Sequence, residues 1–364
     1  MADYFEIDFL EVHTKKSGDA IGVRYELGGL VYIHVVDGGY SATGEALIEH
    51  INKYYDQPSY IDHVVVTHPD QDHAEGLQAI LEYFPVGTLW MLLPWNYVDE
   101  LIDRFDRYTN PDNLRRKLRD AYPYLVELEK IASRKGIQIR EPLQSARIGA
   151  FTVLAPTRTR YLDLVVTSAK TPAATAQDSP LAKVERMIAE AARLTKAFIR
   201  AAWGYETFPD TGTSNENEMS VVQFFRLCGE AIVLTADTGR DGLAEAADYA
   251  PYVGLALPGG VNRFQIPHHG GRHNVSTEIL DRWFGECLAE PLPDGQHAFT
   301  AVVSAAQDDE DHPRKVVIRA FKHRGARVIS TDDSRKTKRM SQNAPARAGW
   351  SAAEPLDYPD EVEE

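Results

Sequence analysis

Val64-Val65-Val66-Thr67-His68-Pro69-Asp70-Gln71-Asp72-His73 opens on β-branched apolar residues and closes on side chains that bind metals. The valines read as a buried strand. Pro69 cannot continue a strand ladder, so the chain leaves the sheet there. His68, Asp70, Asp72 and His73 then place four coordinating side chains within six positions. Imidazole and carboxylate both ligate divalent ions once deprotonated, so a cluster this dense at a strand end points to a metal centre rather than a polar surface loop. Ala74 to Tyr83 reads as a helix leaving that loop.

Upstream, Phe5 to Val12, Ala20 to Leu27 and Leu30 to Val36 read as strands, the last two joined by Gly28-Gly29 as a tight hairpin. Asp37-Gly38-Gly39 closes the third strand, where a carboxylate serves turn chemistry or orients a metal ligand from behind. Thr43 to Tyr55 has the spacing of an amphipathic helix. Downstream, Val86 to Leu93 reads as a strand and Trp95 to Tyr108 as a helix. Asn110-Pro111 reads as an N-cap with proline at the first helical position, opening one long helix to about Arg134. Its Arg115, Arg116, Lys117 and Arg119 read as a solvated face more readily than a phosphate-contacting one. Residues 157–218 break the rhythm: a loop at Thr171 to Pro180, then a helix from about Leu181 to Trp203. They read as a helical insertion and candidate lid within one domain spanning residues 1–333. From Ser334, basic, small and acidic residues without periodicity predict a disordered tail over 334–364.

The second half again places ligands at strand ends. A hairpin about Cys228-Gly229 ends in Ala236-Asp237, and Phe264 to Pro267 leads to His268-His269-Gly270-Gly271. Ser276 reads as the N-cap of a helix to Phe284. Phe299 to Ser304 reads as a strand, and His312-Pro313 precedes a helix to about His323.

At 364 residues the chain can bury a large core in one α/β domain. A basic region followed by an apolar one is absent from the N-terminus, and no apolar run reaches membrane-spanning length, which predicts a cytoplasmic protein with no membrane partner. Cys228 and Cys287 read as reduced thiols. The formal net charge of -15 argues against indiscriminate polyanion binding, although a metal site would add positive charge where it matters. His13, His34, His50, His63, His297 and His323 read as structural or surface residues.

His68-Pro69-Asp70-Gln71-Asp72-His73 resembles the HxHxDH signature of the metallo-β-lactamase superfamily, with Asp70 where the second histidine usually stands. The HPDxDH form is similar to the hydrolase domain of bacterial competence DNA-uptake channels, the ComEC type. Further segments are similar in the same order: Gly18 to Ile21, Asp37 to Gly39, Glu218 to Val222, Leu234 to Asp237, His268 to Gly270, His312-Pro313, and Gly325 to Asp332. Together they cover most of residues 5–333, as in a free-standing relative without the membrane channel.

The resemblance implies an α/β fold of four layers, an αββα sandwich with two mixed sheets inside and the metal site along one edge. It implies that His68 and Asp70 serve one metal and Asp72 and His73 the other, with Asp237 bridging and His268 or His269 completing the second site. Asp19, Asp37 and Asn217 fall beside these ligands, and Asp72 and His312 carry the catalytic roles. Because no histidine lies between Ala74 and Pro267, the first site is expected to be carboxylate-rich, with Asn215, Asn217, Glu218 or water filling gaps. That favours Mn²⁺ or Mg²⁺ more than an all-histidine zinc site would. One or two divalent ions are expected, Zn²⁺ or Mn²⁺ with Mg²⁺ as a further option. The expected function is metal-dependent hydrolysis of phosphodiesters in DNA, RNA or a nucleotide through metal-activated hydroxide. Hydrolysis of a small ester, thioester or lactone is the alternative that the acidic charge balance favours. A binding protein that kept the fold without turnover is the third reading.

Overall fold

The structure, a computed structural model, describes residues 3–12, 15–105, 108–171, 198–332 and 337–363. The first half supplies strands β1 (Tyr4–Phe9), β2 (Ala20–Leu27), β3 (Leu30–Gly38), β4 (Ile61–Val65), β5 (Val86–Trp90) and β6 (Gln138–Arg140). Then come β7 (Arg147–Ile148), β8 (Phe151–Ala155), β9 (Phe198–Arg200), β10 (Val222–Leu227), β11 (Glu230–Leu234) and β12 (Arg263–Gln265). The last four are β13 (Phe299–Val303), β14 (Ala326–Ser330), β15 (Lys338–Gln342) and β16 (Glu361–Glu363).

One seven-stranded sheet runs β15-β1-β2-β3-β4-β5-β6, and a second runs β14-β13-β12-β11-β10-β8-β7. Each is antiparallel at one end and parallel at the other; β3 to β6 are parallel in the first sheet, β11 to β14 in the second. Phe5, Ile7, Phe9, Val36 and Val65 meet Phe151, Phe225, Ile232 and Val302 in the core between the sheets. A second core lies under helices Ser41–Tyr54, Leu77–Tyr83 and Pro123–Lys135. A third lies under helices Arg240–Tyr249, Thr277–Phe284 and Lys315–His323. The result is the expected four-layer αββα sandwich. Loops leaving the C-terminal ends of parallel strands gather at one edge, the usual place for a site in such sheets.

Several local expectations change. The single helix from Pro111 is two, Pro111–Ala121 and Pro123–Lys135. Pro123 has no N–H to give, and it drives Tyr122 out of the α region, to φ -127 and ψ 66. Asn110 caps the first helix as expected, accepting from the Asp112 and Asn113 amides. The Trp95–Tyr108 helix is instead a 3₁₀ turn at Pro94–Tyr97 followed by one α turn at Val98–Leu101. Of the helix expected over Leu181 to Trp203, and the loop before it, residues 172–197 lie outside the described residues. Phe198–Arg200 is a strand rather than helix, antiparallel to β16.

The tail is also not the disordered segment its composition predicts. Lys338–Gln342 forms β15, the edge partner of β1, with Phe5 opposite Gln342 and Phe9 opposite Lys338. Glu6 and Asp8 point away from the inter-sheet core yet are 0% exposed, because the C-terminal segment covers them and carries Arg339 and Arg347 to them. Met340 and Val362 of the same segment are buried in the cores, with Ala353 and Leu356 packed on them, so the tail docks through a few apolar anchors as well as paired charge.

Close backbone approach sets the motif against β3. A Cβ on Gly76 would lie 2.0 Å from the Gly38 carbonyl oxygen and 2.7 Å from that of Tyr40, and one on Gly44 would lie 2.2 Å from the Gly76 oxygen. The Gly76 amide also donates to Gly39 O at 2.8 Å. Gly76→Ala should therefore cost about 1–3 kcal/mol or more, seen as a lower melting temperature. It should also weaken metal uptake, because the displaced turn carries His73. Wild-type melting and metal uptake in this variant would refute the close-packing account.

Candidate metal centre

Five strand ends supply the site. β3 ends in Asp37, β4 leads through Thr67 to His68, β11 to Asp237, β12 to His268 and His269, and β13 to Ser304. Helix Gln71–Ala74 adds Asp72 and His73. Asp37, Ala236, His268 and His269 all have positive φ, from 47° to 56°. Non-glycine residues persist in that strained region only where the surroundings over-determine them.

Four imidazoles converge on one carboxylate. The Asp237 Oδ2 lies 3.3 Å from His73 Nε2, 3.6 Å from His269 Nε2, 3.7 Å from His268 Nε2 and 3.8 Å from His68 Nε2. Asp72 Oδ2 joins them, 3.6 Å from His269 Nε2 and 3.8 Å from His73 Nε2. Each ring is held by its other nitrogen. His73 Nδ1 donates to Asp37 Oδ2 at 2.8 Å, and His269 Nδ1 to the Ser304 carbonyl at 2.9 Å. His268 Nδ1 donates to Asn274 Oδ1 at 2.8 Å, and His68 Nδ1 contacts Thr67 Oγ1 at 3.1 Å. Tethers of this kind fix the tautomer and aim the Nε2 lone pair inward.

The inward atoms lack partners. His68 Nε2, His73 Nε2, His269 Nε2 and Asp237 Oδ1 are buried without a hydrogen bond. Leaving so many polar atoms unsatisfied is costly unless something binds them. A divalent cation fits: Asp72, His73, Asp237 and His269 offer ligand atoms all within 4.8 Å of one another. A second group, Asp37, His68 and His73, is equally compact. However, both Asp37 oxygens are taken by the Thr67 amide and hydroxyl and by His73, so Asp37 positions ligands and does not join them.

Local charge also asks for a cation. Burial opposes protonation of His73, but Asp237, Asp37 and Asp72 outweigh it and hold its pKa well above the ordinary imidazole value. Burial is likewise overcome at His269, where Asp237 and Asp72 raise the pKa to about 9. Asp72, raised by burial but pulled down by His73 and His269, falls to about 2. His68 is lowered to about 4 by burial and by neighbouring His73. Without a metal, His73 and His269 carry the protons that balance the carboxylates, while His68 stays neutral.

Asp70 does not join the cluster. Its carboxylate takes Lys170 Nζ at 2.6 Å, and it belongs to neither compact ligand group among the described residues. Asp19 lies beside the centre: its Oδ2 accepts from Gln265 Nε2 at 2.8 Å and stands 3.9 Å from His73 Nδ1. Asn217 Nδ2 approaches the His268 ring at 3.4 Å. His312 sits at the rim with Nδ1 3.2 Å from Asp309 Oδ2, its ring centroid 5.5 Å from that of His268. Asn274, Thr67, Ser304, Asp309 and Lys170 went unread in the sequence as site residues; only Thr67, next to the motif, carried a positional hint.

An open cavity of about 600 Å³ lies over the centre, with Lys16, Lys170, His312, Tyr40, Tyr122 and Tyr124 in its wall. The break at Pro123 is what places both of the last two tyrosines there. Arg115, Lys117 and Arg119 lie outside this wall and pair with Asp112, Asp120 and Glu129, as a solvated face does. No helix among the described residues is long and apolar enough to cross a membrane.

Residues 28–122 match the family model of the metallo-beta-lactamase superfamily. Over those residues the chain is similar to that superfamily. That match takes in β3, the His68–His73 motif and its helices; Asp237, His268 and His269 lie beyond it. The His/Asp cluster stands where the loops of both sheets meet. Among solved structures, the chain is similar to a variant of CmlA beta-hydroxylase at 13% identity and TM-score 0.38, covering 92% of this chain and 53% of that one. It therefore spans about half the length of that protein. It is also similar to MEM-A1, a subclass B3 metallo-beta-lactamase from a soil metagenome library, at 10% identity and TM-score 0.31, covering 74% of this chain and 76% of that one. A third is the metallo-beta-lactamase MIM-1 from Novosphingobium pentaromativorans, at 8% identity and TM-score 0.30, covering 75% and 78%. No curated protein sequence matches the chain.

Proposed function

We propose that this protein is a metal-dependent phosphodiesterase acting on nucleic acid or a nucleotide. The observation that carries the metal-dependent part is the convergence of four tethered imidazoles on Asp237. Asp72, His73, Asp237 and His269 would hold one ion, and His68 with Asp237 would begin a second position. A divalent ion in such a site supplies Lewis acidity and a nucleophilic water at neutral pH. With Asp70 engaged by Lys170, the donor set is richer in nitrogen than the sequence suggests. Zn²⁺ or Mn²⁺ then stands ahead of Mg²⁺, which prefers oxygen ligands.

The phosphodiester reading is supported by the resemblance of the motif to the hydrolase domain of competence channels. It is supported further by a cavity large enough for a nucleotide, with the half-buried Tyr40 and Tyr124 in its wall as rings on which a base can stack. Asp309 holds His312 at the rim, where the ring can give a proton to the departing alkoxide. The net charge of -15, together with Asp70, Asp309 and Asp311 in the wall, favours a second reading, a small ester, thioester or lactone as substrate.

Incubation of the Zn²⁺- and Mn²⁺-loaded protein with labelled single- and double-stranded DNA, RNA, a p-nitrophenyl phosphodiester and a chromogenic ester separates the readings. Phosphodiester cleavage faster than ester cleavage is expected; the reverse order would favour the second reading. His312→Ala should slow cleavage of a nucleotide diester by about 10²–10⁴-fold. With the better p-nitrophenolate leaving group the loss should shrink markedly. An equal loss on both would remove His312 from the proton-donating role.

A further inference from the structure

The wall of the cavity over the metal centre carries Asp70, Asp72, Asp309 and Asp311 against Lys16 and Lys170. Two lysines among four aspartates can meet one phosphate; they do not match the run of phosphates that a duplex presents. An anion enters such a wall only where a cation is fixed to receive it.

Lys170 is fixed in this way. Ser168 and Thr171, on either side of it, are buried. Ser168 Oγ donates to Glu216 and accepts from the Lys170 amide at 3.0 Å. Thr171 Oγ1 lies 2.8 Å from the Val165 carbonyl oxygen and 3.0 Å from that of Ser168. Glu216, buried as well, also accepts from the Tyr122 hydroxyl at 3.1 Å, and Tyr122 lines the cavity. Burying a carboxylate is costly; here it ties the turn that carries Lys170 to the cavity wall.

The Lys170 side chain is by contrast 45% exposed, and it reaches Asp70 Oδ1 at 2.6 Å. Asp70 stands two positions from both His68 and Asp72, so the ammonium is held beside the metal-binding motif. An ion pair this open adds little to stability, and giving up Asp70 for another anion costs correspondingly little. A phosphate oxygen accepts from an ammonium in the same charge-assisted way.

We infer that Lys170 is a specificity-determining residue, which passes from Asp70 to an oxygen of a single phosphate on a nucleotide-sized substrate. Asp70 is its resting partner and keeps the ammonium over the cavity until that phosphate arrives. The inference rests on the reading above that this cavity receives the substrate.

Calorimetric titration of the Zn²⁺-loaded full chain with adenosine monophosphate tests it apart from turnover. Lys170→Met should weaken binding by about 10-fold, the lower end of what a hydrogen bond to a charged group contributes, because the ammonium is partly solvated. Lys170→Arg should keep most of the affinity, and Asp70→Asn should bind more tightly than the wild type. In the Asp70→Asn background, Lys170→Met should still cost about 10-fold. With a p-nitrophenyl phosphodiester, Lys170→Met should raise KM far more than it lowers kcat, the pattern of lost ground-state binding, and the KM of an uncharged ester should move far less. Equal affinity of the wild type and Lys170→Met for adenosine monophosphate would overturn the inference, as would a wild type that does not bind it. Recovery of wild-type affinity in the double variant would also overturn it, since the loss would then come from a released Asp70. A wild type whose binding depends on Lys170 but which cleaves only the ester would overturn the phosphodiesterase reading and leave the role of Lys170 standing.

Discussion

Asp237→Ala should remove metal-dependent turnover altogether and lower ion affinity well beyond the roughly 10- to 100-fold that loss of an outer tether costs. Among the described residues, Asp237 is the one carboxylate within 3.8 Å of all four Nε2 atoms, so its loss deprives every position at once. It is 2% exposed, and two neighbouring carboxylates are engaged elsewhere: Asp37 is held by Thr67 and His73, Asp70 by Lys170. Two measurements bear on it. In the wild type, a free ion at 100 times its Kd should stabilise the fold by about 2.7 kcal/mol, read as a rise in melting temperature. In Asp237→Ala that rise should vanish along with activity. A variant that still hydrolyses substrate at the parental rate with added Zn²⁺ or Mn²⁺ would show that the centre lies elsewhere.

Much of this was legible because the site is made at strand ends. A valine run followed by His-Pro-Asp-Gln-Asp-His marks both a buried strand and its exit, and the parallel strands bring Asp237 and His268-His269 to the same edge without further information. Asp37 was legible too, as a carboxylate before two glycines, although only the structure distinguishes turn chemistry from its grip on His73. Asp70 was misread because spacing along a chain says nothing of the partner that competes for a side chain. Lys170 lies 100 residues away. The same holds for Asn274, whose role depends on the direction of one ring. At Tyr122-Pro123 the information was present, since proline excludes the preceding residue from the helix, but the apolar spacing on both sides masked it.

The tail was illegible for a different reason. Disorder is inferred from low apolar content, which measures what a segment can bury by the hydrophobic effect and not what it can pair. Residues 338–350 dock through one buried apolar side chain, Met340, together with charge and cation–π contact: Arg347 lies 4.7 Å over Tyr54 and 4.8 Å over Trp350. Glu6 and Asp8 on β1, read as ordinary alternation, are the other half of that contact.

Arg347→Ala should consequently destabilise the whole fold, by up to about 3–5 kcal/mol, the cost of leaving a buried charge wholly unpaired, less what the remaining partners of Glu6 and Asp8 recover. The guanidinium donates to both Asp8 oxygens, at 3.0 and 2.7 Å, and to Glu6 at 2.8 Å, and its side chain is 6% exposed. Glu6 would keep Arg24 and Arg339. Asp8 would keep His50 at 3.1 Å and the Tyr55 hydroxyl at 2.7 Å. A drop of roughly 5–10 °C in melting temperature is expected from that cost. Its pH dependence separates charge loss from lost packing. Burial alone would raise the Asp8 pKa, but His50 and Arg347 outweigh it and hold the carboxyl below its ordinary value of 3.8. In the wild type, therefore, Asp8 contributes stability above about pH 4 that is lost as pH falls through its depressed pKa. Without Arg347, burial regains weight, the folded-state pKa moves upward, and the variant gains stability relative to the wild type as Asp8 takes up a proton. The difference in melting temperature should narrow between pH 7 and pH 4, and Arg347→Lys, which keeps the charge but not the fork, should lose less than alanine. A gap that stays constant across that range would assign the loss to the stacking on Tyr54 and Trp350 instead of to Asp8.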